Sequence, residues 1–292
     1  MRGRNGAAYI SAMLIFGTIG LLRRYIDIPS GALAMLRGVI GVAALAMLLV
    51  IRGECPDMQA IKRNLPVLLI SGIVIGANWM LLFEAYNYTS VAAATLCYYM
   101  APVIVMLLSP VLLKERLTWL KIGCILAAVA GMVPVSGILT TGGAESGNMK
   151  GILLGLGVAA LYAGAIIANK HIRGVKTMDR TVVQLSVAAL VVAPYAFGVE
   201  KFSPVDMDML SIVLVIVAGV VHTGLAYALY FGAIEKLSGQ TAALMSYIDP
   251  IFAVILSALV LGESMKAEGW IGAAVVIGAM MISELSAKKE TP

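Results

Sequence analysis

The chain has 292 residues, 61% of them hydrophobic and 13% charged, with a formal net charge of +5 and a mean hydropathy of +0.96. A soluble domain is nearer half apolar and a quarter charged, so this composition excludes an ordinary soluble fold. With 16 acidic residues and 2 histidines, little material is left for a polar active site.

Ten apolar runs long enough to cross a bilayer follow one another along the chain. The first, 6–26, follows Arg2 and Arg4 and ends at Arg23-Arg24 without a small-residue cleavage site, so it reads as a retained span. The others lie at about 29–52, 65–88, 90–113, 118–137, 150–171, 180–198, 209–234, 238–262 and 267–285. Connections are short, and several carry breakers such as Asp27-Ile28-Pro29 and Ser203-Pro204. The longest gap, Gly137 to Asn148, is rich in Gly, Thr and Ser and falls at mid-chain.

Lys and Arg orient the spans. On the N-terminal side the tail and connections hold 15, and the opposite side holds 5: Arg23, Arg24, Lys150, Lys201 and Lys266. The excess places both termini in the cytoplasm and favours an even number of spans, in an inner (cytoplasmic) membrane. These basic residues read as topology markers beside anionic lipid and not as a nucleic-acid surface. Cys55, Cys97 and Cys124 have no metal-ligand or pairing pattern, and the latter two read as small buried hydrophobes.

Shifted by 148 residues, the chain matches itself without a gap. Gly76 falls on Gly224, Phe83 on Phe231, Tyr99 on Tyr247, Pro102 on Pro250 and Glu115 on Glu263. Each repeat holds five spans. Five is odd, so the second repeat enters the membrane inverted relative to the first. The expectation is an all-α membrane protein of ten transmembrane helices in two inverted five-helix repeats: residues 1–137, a linker at 138–149, and 150–292. Inverted repeats are a mark of secondary transporters, which bind solute near the midplane between the halves.

Tyr98-Tyr99-Met-Ala-Pro102-Val103 followed by Glu115-Arg-Leu-Thr resembles the signature of EamA-type transporters of the drug/metabolite transporter superfamily. So does Tyr247-Ile-Asp249-Pro250 followed by Leu261-Gly262-Glu263. Arg37 looks like the family's arginine in the second span, and Ala85 to Ser90 like its stretch before the fourth. Phe16-Gly17 and Tyr162-Ala-Gly164 stand where the family opens each half with Trp-Gly, which brings Tyr162 among the candidate solute contacts. The resemblance implies transport, commonly export, of amino acids, amines or related metabolites by alternating access. A carrier for another class, such as nucleotide sugars, is the alternative within the superfamily.

Polar residues at membrane depth are costly and tend to face the protein interior or a watery cavity. Asp249, before Pro250, is a candidate for binding an ammonium or a proton, or else for holding a kink. His222 can change charge near neutral pH, or else packs as a neutral residue. Asn78, Trp79, Tyr98, Tyr99, Tyr227 and Tyr247 are candidate cavity linings, since mid-depth tyrosines need hydroxyl partners and aromatic faces can hold a cation. Arg37 and Glu84 are expected to form an intramembrane ion pair, with a clamp on a solute carboxylate as the rival role for Arg37. Tyr86 and Tyr88 are expected as interfacial anchors. Glu115 and Glu263 read as structural markers of the repeat, and Gly151-x-x-x-Gly155 as a helix-packing motif.

No Gly-x-x-x-x-Gly-Lys-Ser/Thr loop, His-Glu-x-x-His or Gly-x-Ser-x-Gly occurs, so no ATP drive, metal, cofactor or enzymatic activity is expected. The expected partners are a small solute, the bilayer and, in one option, protons, and a monomer suffices. A channel-like or structural membrane protein is the rival from another class.

Overall fold

The computed structural model describes residues 2–101, 103–104, 107–108, 118–135, 146–169, 171–234, 245, 248–263 and 265–287. All of its regular elements are helices: α1 (Arg2–Gly17), α2 (Ile19–Arg24), α3 (Ser30–Ile51), α4 (Met58–Arg63), α5 (Leu65–Tyr88), α6 (Val91–Tyr98), α7 (Trp119–Val135) and α8 (Ser146–Asn169). Then come α9 (Thr177–Gly198), a 3-10 turn (Pro204–Asp206), α10 (Met209–Val217), a π-helical segment (Ala218–Leu225), α11 (Ala226–Ile234), α12 (Ile248–Leu259) and α13 (Ala267–Ala287).

Six helical stretches are long and apolar enough to cross a membrane: Asn5–Arg24, Ser30–Ile51, Leu65–Tyr88, Asn148–Ala165, Thr177–Gly198 and Met209–Tyr230. Three shorter apolar helices lie at Ile122–Pro134, Ile248–Leu259 and Ala267–Ala279. Their starts follow from local chemistry. Asp57 accepts hydrogen bonds from the amides of Gln59 and Ala60 to open α4, and Ser90 accepts from Ala93 N to open α6. Pro66 sits in the first turn of α5, where a missing N–H costs nothing. Asp208 caps α10 outside the apolar run, and its hydrogen bonds with Ser211 hold its carboxyl below the usual carboxylate range.

The packing is organised in pairs. α5 lies against α8, as α1 lies against α11. α9 packs on α3 and α5, and α3 packs also on the π segment. α6 meets α8 and α12, α1 meets α12, and α7 lies against α13. Lipid offers helices no hydrophobic drive to associate, so close van der Waals approach between small residues carries much of this packing. Gly151 and Gly155 fill that role as the sequence suggests: a Cβ at Gly151 would lie 2.7 Å from Thr89 Cβ, and one at Gly155 2.7 Å from Cys97 Cβ. Gly72 and Gly76 do the same on α5, where a Cβ at Gly76 would lie 2.8 Å from Ala188 O and 3.1 Å from Ala188 Cα. Backbone cannot step aside as a side chain can. Gly76→Val is therefore expected to cost about 1–3 kcal/mol and to lower the thermal unfolding midpoint in detergent. Gly157→Ala, with nothing near the added Cβ, leaves the midpoint unchanged.

The π segment interrupts the α-helical path of the Met209–Tyr230 span. Its widened turn places His222 Nδ1 3.5 Å from Val217 O, and Thr223 Oγ1 donates to Ala218 O at 3.3 Å, five residues back in each case. It is also where α3 comes closest, since a Cβ at Gly41 would lie 2.6 Å from Thr223 Cβ and one at Gly219 2.4 Å from Ile40 Cβ. Such single-turn π insertions gather at functional sites.

Candidate functional site

Two aromatic groups meet in the middle of the bundle. Tyr98, the last residue of α6, packs on Tyr99 and on Tyr162 of α8, with ring centroids 5.1 Å apart in each case. Phe16 of α1 packs on Tyr227 at 5.4 Å and on Tyr230 at 6.3 Å, and Tyr230 packs on Tyr9 at 5.3 Å. Tyr162 is 39% exposed although its ring touches Tyr98. It lies within electrostatic reach of Tyr227, Tyr230 and Asp249.

Asp249 stands beside the point where regular α6 ends. Regular α6 stops at Tyr98, with a turn at Tyr99–Met100, and Asp249 lies in α12. The Tyr99 hydroxyl donates to Asp249 Oδ2. Gly17 lets α1 come close to α12 here: a Cβ there would lie 2.9 Å from Asp249 O. A carboxylate held by one neutral donor, with aromatic faces around it, can exchange that partner for an ammonium group or a proton.

Arg37 of α3 is 5% exposed and lies on the Trp79 ring, with Cζ 4.3 Å from the centroid, and 5.8 Å from that of Phe83. Its Nε donates to Thr223 Oγ1 at 3.0 Å. Asn78 donates from Nδ2 to Val158 O at 2.8 Å, which ties α5 to α8. His222 is 2% exposed, with Nε2 2.8 Å from Thr18 Oγ1, so it joins the π segment to the α1–α2 junction.

Several expectations change. Arg37 and Glu84 do not pair: among the described residues the ion pair is Arg24–Glu263. Glu84 accepts instead from Ser30 at 2.8 Å and from Asn87 at 3.1 Å. The reason is depth. Glu84 sits level with Ser30, and Arg37 lies seven residues further along α3, about 10 Å deeper at 1.5 Å per residue. Tyr86 is not an interfacial anchor but is 2% exposed, with its hydroxyl 3.3 Å from Thr95 Oγ1. Tyr88 does lie near an end, where Lys150 Nζ sits 3.8 Å from its ring centroid. His222, Ala226 and Tyr230 keep to one side, as their spacing suggests: His222 meets Thr18 and Tyr230 meets Tyr9, both in the first span, and Ala226 is buried. Tyr247, Pro102 and Glu115 lie outside the described residues.

Thr223, Thr18 and Tyr9 are parts of the site that the sequence reading missed. Hydroxyl residues and tyrosines inside apolar runs are the available signal, and Tyr9 and Phe16, seven residues apart, share a helix face.

At the end of the bundle where α2, α6 and α12 meet, Arg24 Nη2 donates to Glu263 Oε1 at 2.7 Å and to Thr89 O at 2.8 Å. Val91 N donates to Glu263 Oε2 at 2.9 Å, and Ser257 Oγ also donates to that carboxylate. Beside this clasp lies a recess of about 610 Å3 lined in part by Arg23, Arg24, Asp27, Tyr86 and Asn87. At the other end, Asp57 N donates to Asp179 at 3.1 Å and Asn64 Nδ2 to Arg173 O at 3.0 Å.

Comparison with known proteins agrees with this arrangement. A solved crystal structure superposes with a TM-score of 0.68 at 21% identity over 100% of both chains, a likeness of fold. The transporter YxxF of Bacillus subtilis (strain 168), described as uncharacterized, is 25% identical over 94% of this chain and 87% of its own length. An uncharacterized transporter of Archaeoglobus fulgidus is 26% identical over 97% of each chain. Protein RarD of Salmonella typhimurium is 26% identical over 76% of this chain and 72% of its own. The model of the EamA-like transporter family matches twice, over residues 7–137 and 149–284. With nearly the whole chain matched, half by half, this protein belongs to the EamA-like transporter family.

Proposed function

We propose that the chain is a secondary carrier that moves a small metabolite, an amino acid, amine or related compound, out of the cell by alternating access between two inverted halves. The pairing of helices carries the reading. Number the ten apolar runs in chain order and exchange each with the run five places on. The α5–α8 contact then becomes α1–α11, α9–α5 becomes α3 with the π segment, and α6–α8 becomes α12–α1. The α3–α9, α6–α12 and α7–α13 contacts map onto themselves. That is the pattern expected of five-helix halves related by a two-fold axis in the membrane plane, with boundaries near 1–137 and 150–292.

The axis passes where α6 meets α12, and solute is proposed to bind there, among Tyr98, Tyr99, Tyr162, Tyr227 and Asp249, with Trp79 and Arg37 at the edge. Discontinuous helices at a repeat interface are the usual setting for such sites. Asp249 is the proposed site for a coupling proton or a solute ammonium. The clasp at Arg24–Glu263 is assigned to the outer face and the Asp57–Asp179 end to the cytoplasmic face, as the Lys and Arg distribution suggests, with both termini inside.

The test is uptake of labelled amino acids and amines into liposomes holding the purified protein, with and without an imposed pH gradient. Saturable uptake of one class, absent from empty liposomes, is the expected result. Non-saturating flux with single-channel currents would overturn the carrier reading.

A further inference from the structure

We propose that Arg37 is the recognition point for a carboxylate on the transported solute, so that this carrier selects carboxylate-bearing solutes over simple amines. The inference rests on the carrier reading above and adds the residue that sets its specificity.

Arg37 is a cation inside the bundle, 5% exposed, with no ion pair among the described residues. A buried charge is retained where something pairs with it or where its function requires it. Of its five N–H donors, the one on Nε goes to Thr223. Among the described residues, Nη1 and Nη2 donate to nothing, so the bidentate fork that matches a carboxylate is free. Those nitrogens are not sealed in protein either. The fully enclosed side-chain polar atom without a partner among the described residues is Arg23 Nε, not an atom of Arg37. The fork therefore opens on accessible space.

The setting holds the guanidinium still. Trp79 supports one face at 4.3 Å, and Thr223 fixes Nε from the π segment. The widened turn of that segment carries Thr223, and Gly41 lets it come close. An arginine preorganised in this way loses little rotamer freedom on binding. Its electrostatic neighbours are Tyr227, Tyr86 and Tyr98, and Tyr98 belongs also to the cluster around Asp249. The free fork and the aromatic chamber therefore share a wall. Tyr86 lines the recess beside Arg23 and Arg24 as well, which gives an anionic group a basic approach.

Charge selects the kind of anion. Among the described residues no second arginine or lysine is an electrostatic neighbour of Arg37, and with Asp249 beyond the tyrosines the site balances a single negative charge. A carboxylate meets that condition and a phosphate dianion does not.

The experiment reads binding apart from flux. Trp79 is isolated as the fluorophore in a Trp119→Phe/Trp270→Phe background, and the purified full chain is titrated with acetate, butyrate and benzoate. Ethylamine, butylamine and benzylamine serve as matched cations. The expected result is a saturable change in Trp79 emission with at least one carboxylate and none with its matched amine. Arg37→Lys, which keeps the charge but not the fork, weakens that response roughly tenfold, the scale of one charge-assisted hydrogen bond. Arg37→Gln abolishes it. The inference is overturned if no carboxylate gives a response, if amines respond equally, or if Arg37→Gln that elutes as a folded monodisperse protein responds like the parent. Liposome uptake with the same proteins separates the two readings. Flux that is intact and indifferent to Arg37 removes the subsite and leaves the carrier. An Arg37-dependent fluorescence response without flux of any solute does the reverse.

Discussion

Joining Arg24→Cys to Glu263→Cys with a reductant-cleavable bis-methanethiosulfonate reagent is expected to stop solute flux in liposomes, and reductant is expected to restore it. Arg24 ends α2 in the first half and Glu263 follows α12 in the second, so their 2.7 Å contact spans the two halves. Thr89 O and Val91 N, at the start of α6, complete the same clasp. The two side chains are 32% and 18% exposed, and a pair that open to solvent contributes only about 0–1 kcal/mol. The clasp is therefore cheap to open, as a contact must be if it parts once in every transport cycle. A covalent tether removes that option. The assay needs Cys55→Ser, because Cys55 is exposed while Cys97 and Cys124 are buried. Flux that continues through fully tethered protein would show that this end of the bundle does not part during transport.

Much of the fold is legible in the sequence because hydropathy is a one-dimensional signal. The boundaries of α3, α5 and α9 fall within a few residues of apolar runs bounded by charges, Pro or Asn. The two-repeat reading rests on motifs that survive the shift of 148 residues. The structure brings two of those motifs together, Tyr99 against Asp249. In sequence both stand just before prolines, Pro102 and Pro250, and their meeting follows if the repeats are related by an axis through α6 and α12.

Azimuth and relative depth are not legible in the same way. Arg37 and Glu84 both read as intramembrane charges of opposite sign, and sequence offered no ruler between α3 and α5. The Ser30–Glu84 hydrogen bond supplies it and leaves Arg37 level with Trp79. The π turn is invisible for a related reason. Residues 209–234 form an unbroken apolar run, and one extra residue per turn leaves hydropathy unchanged while rotating everything beyond it. His222 and Tyr230 nonetheless both meet the first span, at Thr18 and Tyr9.

Asp249→Asn is expected to weaken half-saturation of the transported solute by at least about tenfold if the solute carries an ammonium, since a hydrogen bond to a charged group contributes roughly 1.5–3 kcal/mol. If a proton is coupled through Asp249, it is also expected to leave the residual flux indifferent to an imposed pH gradient, because the amide can neither bind nor release one. Asparagine keeps the shape of the side chain and an oxygen that can accept from the Tyr99 hydroxyl, so the packing of α6 on α12 is conserved. Tyr99→Phe makes the complementary change, removing the donor while the carboxylate stays. Its expected effect is smaller and lies in half-saturation, with the response to the gradient retained. The pair of variants separates two roles for one residue. If Asp249 only holds the helix break, Asn preserves function, because the hydrogen bond survives, and both flux and gradient response stay at the parent level. If Asp249 carries charge through the cycle, Asn fails and Phe at Tyr99 does not. The neutral substitution is thus the more damaging of the two only when the carboxylate itself takes part in transport.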